Sequence, residues 1–218
     1  MEAVRLALAA ILTLLAPLPT MAACDAPPPP LAEVRVTVTD PLAPSILPAG
    51  PEAIRQRAAA TGRALPEGQL ARGLTIDRSE TRAEAILTAI GPANERCIAL
   101  TAIEATVTAR EVTVLLDGHY RTGTCPYRAI LDHEREHVRI NAEARRETGR
   151  ELEASLRGLA GRWGGRWLPE ARMRQLQADI DEAVRTVGGS VQERAEARHA
   201  KIDTPESYAE VQARCDAW

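Results

Sequence analysis

From Pro126 to Arg146 the chain reads PYRAILDHEREHVRINAEARR, with no glycine and no second proline. This run constrains the fold more than any other stretch. Proline suits the first turn of a helix, and Thr124 stands just before it as a side-chain cap. Inside the run, His133, Glu134 and His137 form an H-E-x-x-H pattern. At about 100° per residue, both histidines share a face with Ala129, Ile130, Ile140 and Ala144, and Glu134 lies at its edge. A solvated face would not carry isoleucines beside the imidazoles. The helix is therefore expected to be half buried against another layer.

Two histidines four apart on a helix can direct both imidazoles at one metal ion. The glutamate beside the first is placed to take a proton from an activated water, which is the zinc-hydrolase reading of this spacing. The bland alternative is a charged helix whose histidines pair with Glu136 or Asp132. The chain has four histidines, the others being His119 and His199.

The 133–137 run resembles the active-site helix of the zincin metallopeptidases. Over about residues 34–210 the chain is more weakly similar to secreted bacterial Zn-dependent proteases grouped as a domain of unknown function. The shared pattern is Cys97-Ile-Ala-Leu opening a strand, a Thr/Val-rich strand pair, the H-E-x-x-H helix, and a helical tail with a late Ile202-Asp203-Thr204 element. The resemblance implies a metallopeptidase fold, a zinc ion, and a peptide or protein substrate.

Residues 1–23 read as a signal peptide, with Arg5, an apolar core over 6–15, Pro17 and Pro19, and small residues at 22–23. The core is too short to span a membrane. Met21-Ala-Ala-Cys24 is close to a lipoprotein signal, so a lipid on Cys24 is the one membrane tether the sequence offers. The expected location is secreted or periplasmic, with the tether as an option. Removing the leader leaves roughly 200 residues, enough for one domain with a real core. Net charge is −3, which points to no nucleic-acid partner. Phenylalanine is absent, so the core must be built from Ala, Val, Ile and Leu. Four cysteines in an exported chain are expected to pair. The preferred pairing is Cys97–Cys125, fixing the helix on the sheet, with Cys24–Cys215.

The expected architecture is α+β: an N-terminal antiparallel sheet, then a helical half carrying the H-E-x-x-H helix. Its parts are the leader 1–23, a Pro-rich segment 24–50 with one strand (34–39), and a zincin-like domain 51–218. Within that domain we expect a short helix over 51–60, loop over 66–73, weaker strands over 74–79 and 85–90, and strong strands over 98–109 and 111–116. Helices follow from 126 to about 159, over 169–187 and over 190–201, broken by Gly161, Gly164, Gly165 and the pair Gly188-Gly189. A last short helix starts at 203–205.

A catalytic zinc usually takes three protein ligands. Glu143 lies six residues beyond His137, but on an unbroken helix it is about 9 Å further along the axis and off the face. Glu147, Glu151 and Glu153 lie further still and read as surface charges pairing with Arg145, Arg146 and Arg150. A return helix would bring Glu193, Glu196, His199 and Asp203 into range. His199 is the preferred third ligand. Asp203 is a ligand, a partner of one, or a helix cap, and His119 in a strand-end turn is a further alternative. Tyr120, Tyr208 and His119 are candidates to stabilise an oxyanion, and 111–116 is the expected edge strand for an extended peptide. The functional expectation is a zinc peptidase with His133, His137 and His199 on the metal and Glu134 as base. The alternative is a non-catalytic envelope protein that keeps the fold and acts by binding.

Overall fold

The computed structural model describes residues 23–41, 43–62 and 72–218. Apart from Ala23, the expected leader lies outside the described residues, as does most of the expected loop 66–73. The described chain is α+β, with the sheet first and the helical half second. Among the described residues no helix is long and apolar enough to cross a membrane.

Four strands and one short pairing segment build a single sheet: β1 (Glu33–Thr39), β2 (Ser45–Ala49), β3 (Gly73–Ile90), β4 (Cys97–Asp117) and β5 (Leu168–Pro169). The two long strands pair antiparallel, but β1 and β2 both run parallel to β4, so the sheet is mixed and not wholly antiparallel. β2 falls in the Pro-rich stretch expected as loop. Four of its five residues are exposed, so it has no alternating pattern to read, and Pro48 is tolerated because the strand borders β4 on one side only. The weak strands 74–79 and 85–90 are one strand, continuous through the charged 80–84 stretch because alternate residues there face solvent. The expected strands 98–109 and 111–116 are likewise one. Ser79 pairs with Ala109 and Arg78 with Glu111, leaving Arg110 as an extra residue that bends β4 without ending it.

That topology overturns the expected edge. Residues 111–116 are central, flanked by β2 and β3.

Helix α1 (Pro51–Ala60) buries Ile54 and Ala58 against Leu74 and Ile76. Helix α2 (Cys125–Trp163) carries the H-E-x-x-H run, and Thr124 accepts the capping bond from the Tyr127 amide as expected. α2 continues past Gly149, Gly158 and Gly161. A Cβ on Gly149 would sit 2.4 Å from Val38 Cγ2, so this glycine lets the helix lie close against β1. Its C-terminal half packs Leu152, Leu156, Leu159 and Trp163 on Leu100 and Ile103 of the sheet. Its N-terminal half is seated by Ile130 and Leu131 on Val114 and Leu116.

The expected helices 169–187 and 190–201 are one, α3 (Met173–Ile202), which runs unbroken through Gly188-Gly189. Two anchors hold the parts in line. Leu176 and Ile180 enter the main core. Further along, Arg194 and Arg198 bind Glu147 and Glu151 of α2. Those α2 glutamates therefore pair with α3, not with Arg145, Arg146 and Arg150 as expected. Glu153 pairs with Arg157. Arg145 is instead buried, with Nη1 2.7 Å from Asp77 and Nε 2.5 Å from Asp40. Helix α4 (Pro205–Ala213) closes the described fold.

The disulfides are Cys24–Cys97 and Cys125–Cys215, not the expected pairing. Cys97 opens β4, whereas Cys125 follows the far end of that strand. Some 20 residues of strand, on the order of 60 Å when extended, separate the two. The bridges therefore join each to a terminal segment. Cys24 Sγ is bonded to Cys97, which leaves no thiol there for a lipid. Two disulfides and no free cysteine indicate an oxidising compartment.

Candidate metal centre

α2 and α3 run antiparallel, and the end of α3 returns to the first turns of α2. This brings Asp203, the residue that closes α3, opposite the two motif histidines. Asp203 Oδ1 lies 3.3 Å from His133 Nε2 and 3.1 Å from His137 Nε2. One ligand atom from each of the three residues lies within 4.8 Å of the others. Ligands at about 2.0–2.1 Å from a tetrahedral zinc stand about 3.3 Å from one another, so the two separations match the edges of such a site. Two imidazoles and one carboxylate also leave a fourth position open, as catalytic zinc requires. The donor set fits a divalent metal ion.

The electrostatics agree. Burial works against a negative Asp203, but the contacts with His133, His137 and Tyr208 outweigh it and hold the carboxyl far below its ordinary range. Burial also works against a charged His133, yet the Asp203 contact and the nearby Glu134 charge raise its pKa. The group strongly favours a positive charge at one point, which a proton or a metal ion can supply.

Glu134 is 5 % exposed and lies beneath this group, against β3. Thr75 Oγ1 donates to its Oε2 at 2.8 Å, and burial raises its pKa against the opposing pull of His137 and Thr75. A Cβ on Gly73 would stand 2.5 Å from Glu134 Oε1, so the first residue of β3 is small where the carboxylate meets the strand. Neither Thr75 nor Gly73 carries a sequence signal, because both act across the sheet–helix boundary.

His199, the preferred third ligand, is near the site but behind it. Its Nδ1 lies 2.8 Å from His137 Nδ1, on the opposite edge of that ring from Asp203. It falls outside the three-residue ligand group, and Asp203 takes the place expected for it. The physical cause is helical phase: α3 ends at Asp203, one turn closer to the open end of the site. Asp203 is not the cap of α4, since Thr204 accepts from the Ser207 amide. Glu143 binds Arg139 on the surface. Glu193 is exposed, and Glu196 accepts from Gln192. His119 is exposed in the turn after β4 and packs edge-on to Tyr120, which in turn packs on Trp218. Of the oxyanion candidates only Tyr208 reaches the group. Its hydroxyl donates to Asp203 at 2.9 Å, with its ring 5.4 Å from that of His133.

A cleft of about 1440 Å³ opens from the site between β3 and α3. Thr75, Asn141, His199, Asp203 and Tyr208 line its metal end, and Val191 and Gly188 its far end. No protein-family model, curated protein or solved structure matches this chain.

Proposed function

We propose that this chain is a zinc-dependent peptidase of the cell envelope or secreted space. The observation that carries this is the convergence of His133, His137 and Asp203 on one point with Glu134 directly beside them. When bound, zinc would polarise the scissile carbonyl and make a water acidic enough to attack it. His133, His137 and Asp203 hold the ion. Glu134, made more basic by its burial against the opposing pull of His137 and Thr75, takes the proton of the attacking water and delivers it to the leaving amine. Tyr208, whose hydroxyl lies against Asp203, is the sequence candidate near enough to serve a developing oxyanion if that hydroxyl turns from the carboxylate. Among the described residues β3 pairs only with β4, and its other edge, with the cleft beside it, suits an extended peptide. The oxidising compartment that the two disulfides indicate fits export.

One observation favours the second reading, a binding protein that keeps the metal without hydrolysis. Glu134 is almost fully buried and already engaged by Thr75. Glu134→Gln separates the two readings. As a peptidase, the variant keeps its metal and loses cleavage of a peptide library by several orders of magnitude. As a binder, neither the variant nor the parent cleaves, and ligand capture is unchanged.

A further inference from the structure

His199 and Asn141 stand outside the ligand group yet in line with it. His199 Nδ1 lies 2.8 Å from His137 Nδ1, and its Nε2 lies 2.9 Å from Asn141 Oδ1. The two rings have centroids 5.0 Å apart and planes within 29°, so with the nitrogens so close they meet edge to edge rather than face to face. His137 is 3 % and His199 6 % exposed. Two imidazole nitrogens at this distance share one hydrogen: one ring donates and the other accepts.

The direction follows from the far end of the chain. An amide oxygen only accepts. With Asn141 Oδ1 facing it, His199 Nε2 carries the hydrogen, and its Nδ1 offers a lone pair. His137 Nδ1 is then the donor. Neutral His137 therefore turns a bare Nε2 toward Asp203 Oδ1, 3.1 Å away. Two acceptors so close repel each other unless a cation lies against both. The reversed chain, with the amide turned to donate to His199, would put the hydrogen on His137 Nε2, where a metal ion needs the lone pair.

We infer that Asn141 and His199 are positioning residues that fix the tautomer of His137, holding its hydrogen on Nδ1 and freeing Nε2 for the metal ion. This rests on the metal reading above and adds the residues that set affinity at that site. Asn141 follows His137 by four residues on α2, so the working motif is H-E-x-x-H-x-x-x-N, completed by a histidine from α3. Ligand histidines commonly donate to a carboxylate or a backbone carbonyl. A neutral imidazole in that role orients the ring without adding negative charge to the site.

The test uses the oxidised chain from Cys24 to Trp218, with zinc as the probe. Affinity is read by competition with a chromophoric chelator, and tautomers by 15N NMR of labelled histidine. The zinc-loaded parent is expected to show His137 protonated at Nδ1. His199→Leu, which removes the acceptor, is expected to weaken zinc binding by roughly 10–100-fold. His199→Asn returns an acceptor oxygen near the place of Nδ1 and is expected to recover most of that loss. Asn141→Leu, at a half-buried position that spares the packing, is expected to fall between. Zinc affinity in His199→Leu and Asn141→Leu within about twofold of the parent would overturn the inference alone, as would an NMR signature of zinc on His199 or on His137 Nδ1. A folded parent that binds no zinc would overturn the metal reading and this inference with it.

Discussion

Asp203 is the residue on which the site turns. Replacing it with alanine removes the one carboxylate of the ligand group, so zinc binding should drop at least a hundredfold. Glu143→Ala and Glu196→Ala should bind as the parent does, because those side chains serve Arg139 and Gln192. Chelator competition across the three variants checks this. If the chain is the proposed peptidase, Gly73→Ala should cut turnover more than tenfold with metal content retained, because the added methyl meets Glu134 Oε1 and displaces that carboxylate. Metal binding should also depend on pH in a defined direction. Zinc needs neutral imidazoles, and the His133 pKa is raised by Asp203 and Glu134 against burial. Proton competition should therefore set in above the ordinary histidine value of about 6.5, and affinity should fall steadily on acidification, as titration calorimetry across pH 5–8 would record. At this scale the two histidines and the glutamate were readable because one helix places them by simple periodicity. Asp203 is visible in the sequence only as one of several acids on a return helix, and His199 is the more zinc-like residue there by chemistry alone. Their order depends on the rotational phase of α3 against α2, which no local pattern encodes. Asn141 was readable in principle, being on the histidine face one turn on.

The elements show the same division between local and tertiary causes. Thr124, Pro126 and the unbroken run after them define the start of α2, and the structure begins the helix there. Its end, and the continuity of α3, are tertiary outcomes. Gly188 and Gly189 have open space where a Cβ would stand, so packing does not require them. Ion pairs and buried contacts on either side carry α3 through a pair that costs about 1 kcal/mol per glycine. Gly189→Ala should accordingly raise stability by about 0.5–1 kcal/mol in urea unfolding. Gly149→Ala should do the opposite, by about 1–3 kcal/mol, because its methyl meets Val38 on β1. β2 was hidden for a related reason. A short strand with both faces largely exposed leaves no periodicity, and only the parallel register with β4 defines it.

At the scale of the whole molecule, the sheet and helices meet along α2, and the metal group forms where α2, β3 and the α3–α4 junction converge. The Cys125–Cys215 bridge ties the first residue of α2 to the chain just beyond α4, so it holds the ligand-bearing junction against the motif helix. Closing a loop of this length contributes roughly 4–5 kcal/mol in the chain-entropy account. Cys125→Ser/Cys215→Ser should lower the unfolding free energy by several kcal/mol and weaken zinc binding. Cys24→Ser/Cys97→Ser should lower stability with zinc affinity unchanged, since that bridge ends at the far end of β4. Cysteine count and export context made pairing legible but not connectivity, which follows from the length of a central strand that the sequence presented as two.

If His133, His137 and Asp203 together hold one metal ion, elemental mass spectrometry on the purified chain from Cys24 to Trp218, beside His137→Ala and Asp203→Ala, should find about one zinc per parent chain and close to none in either variant. A folded parent without metal after zinc challenge, or an Asp203→Ala variant that keeps its full complement, would contradict it.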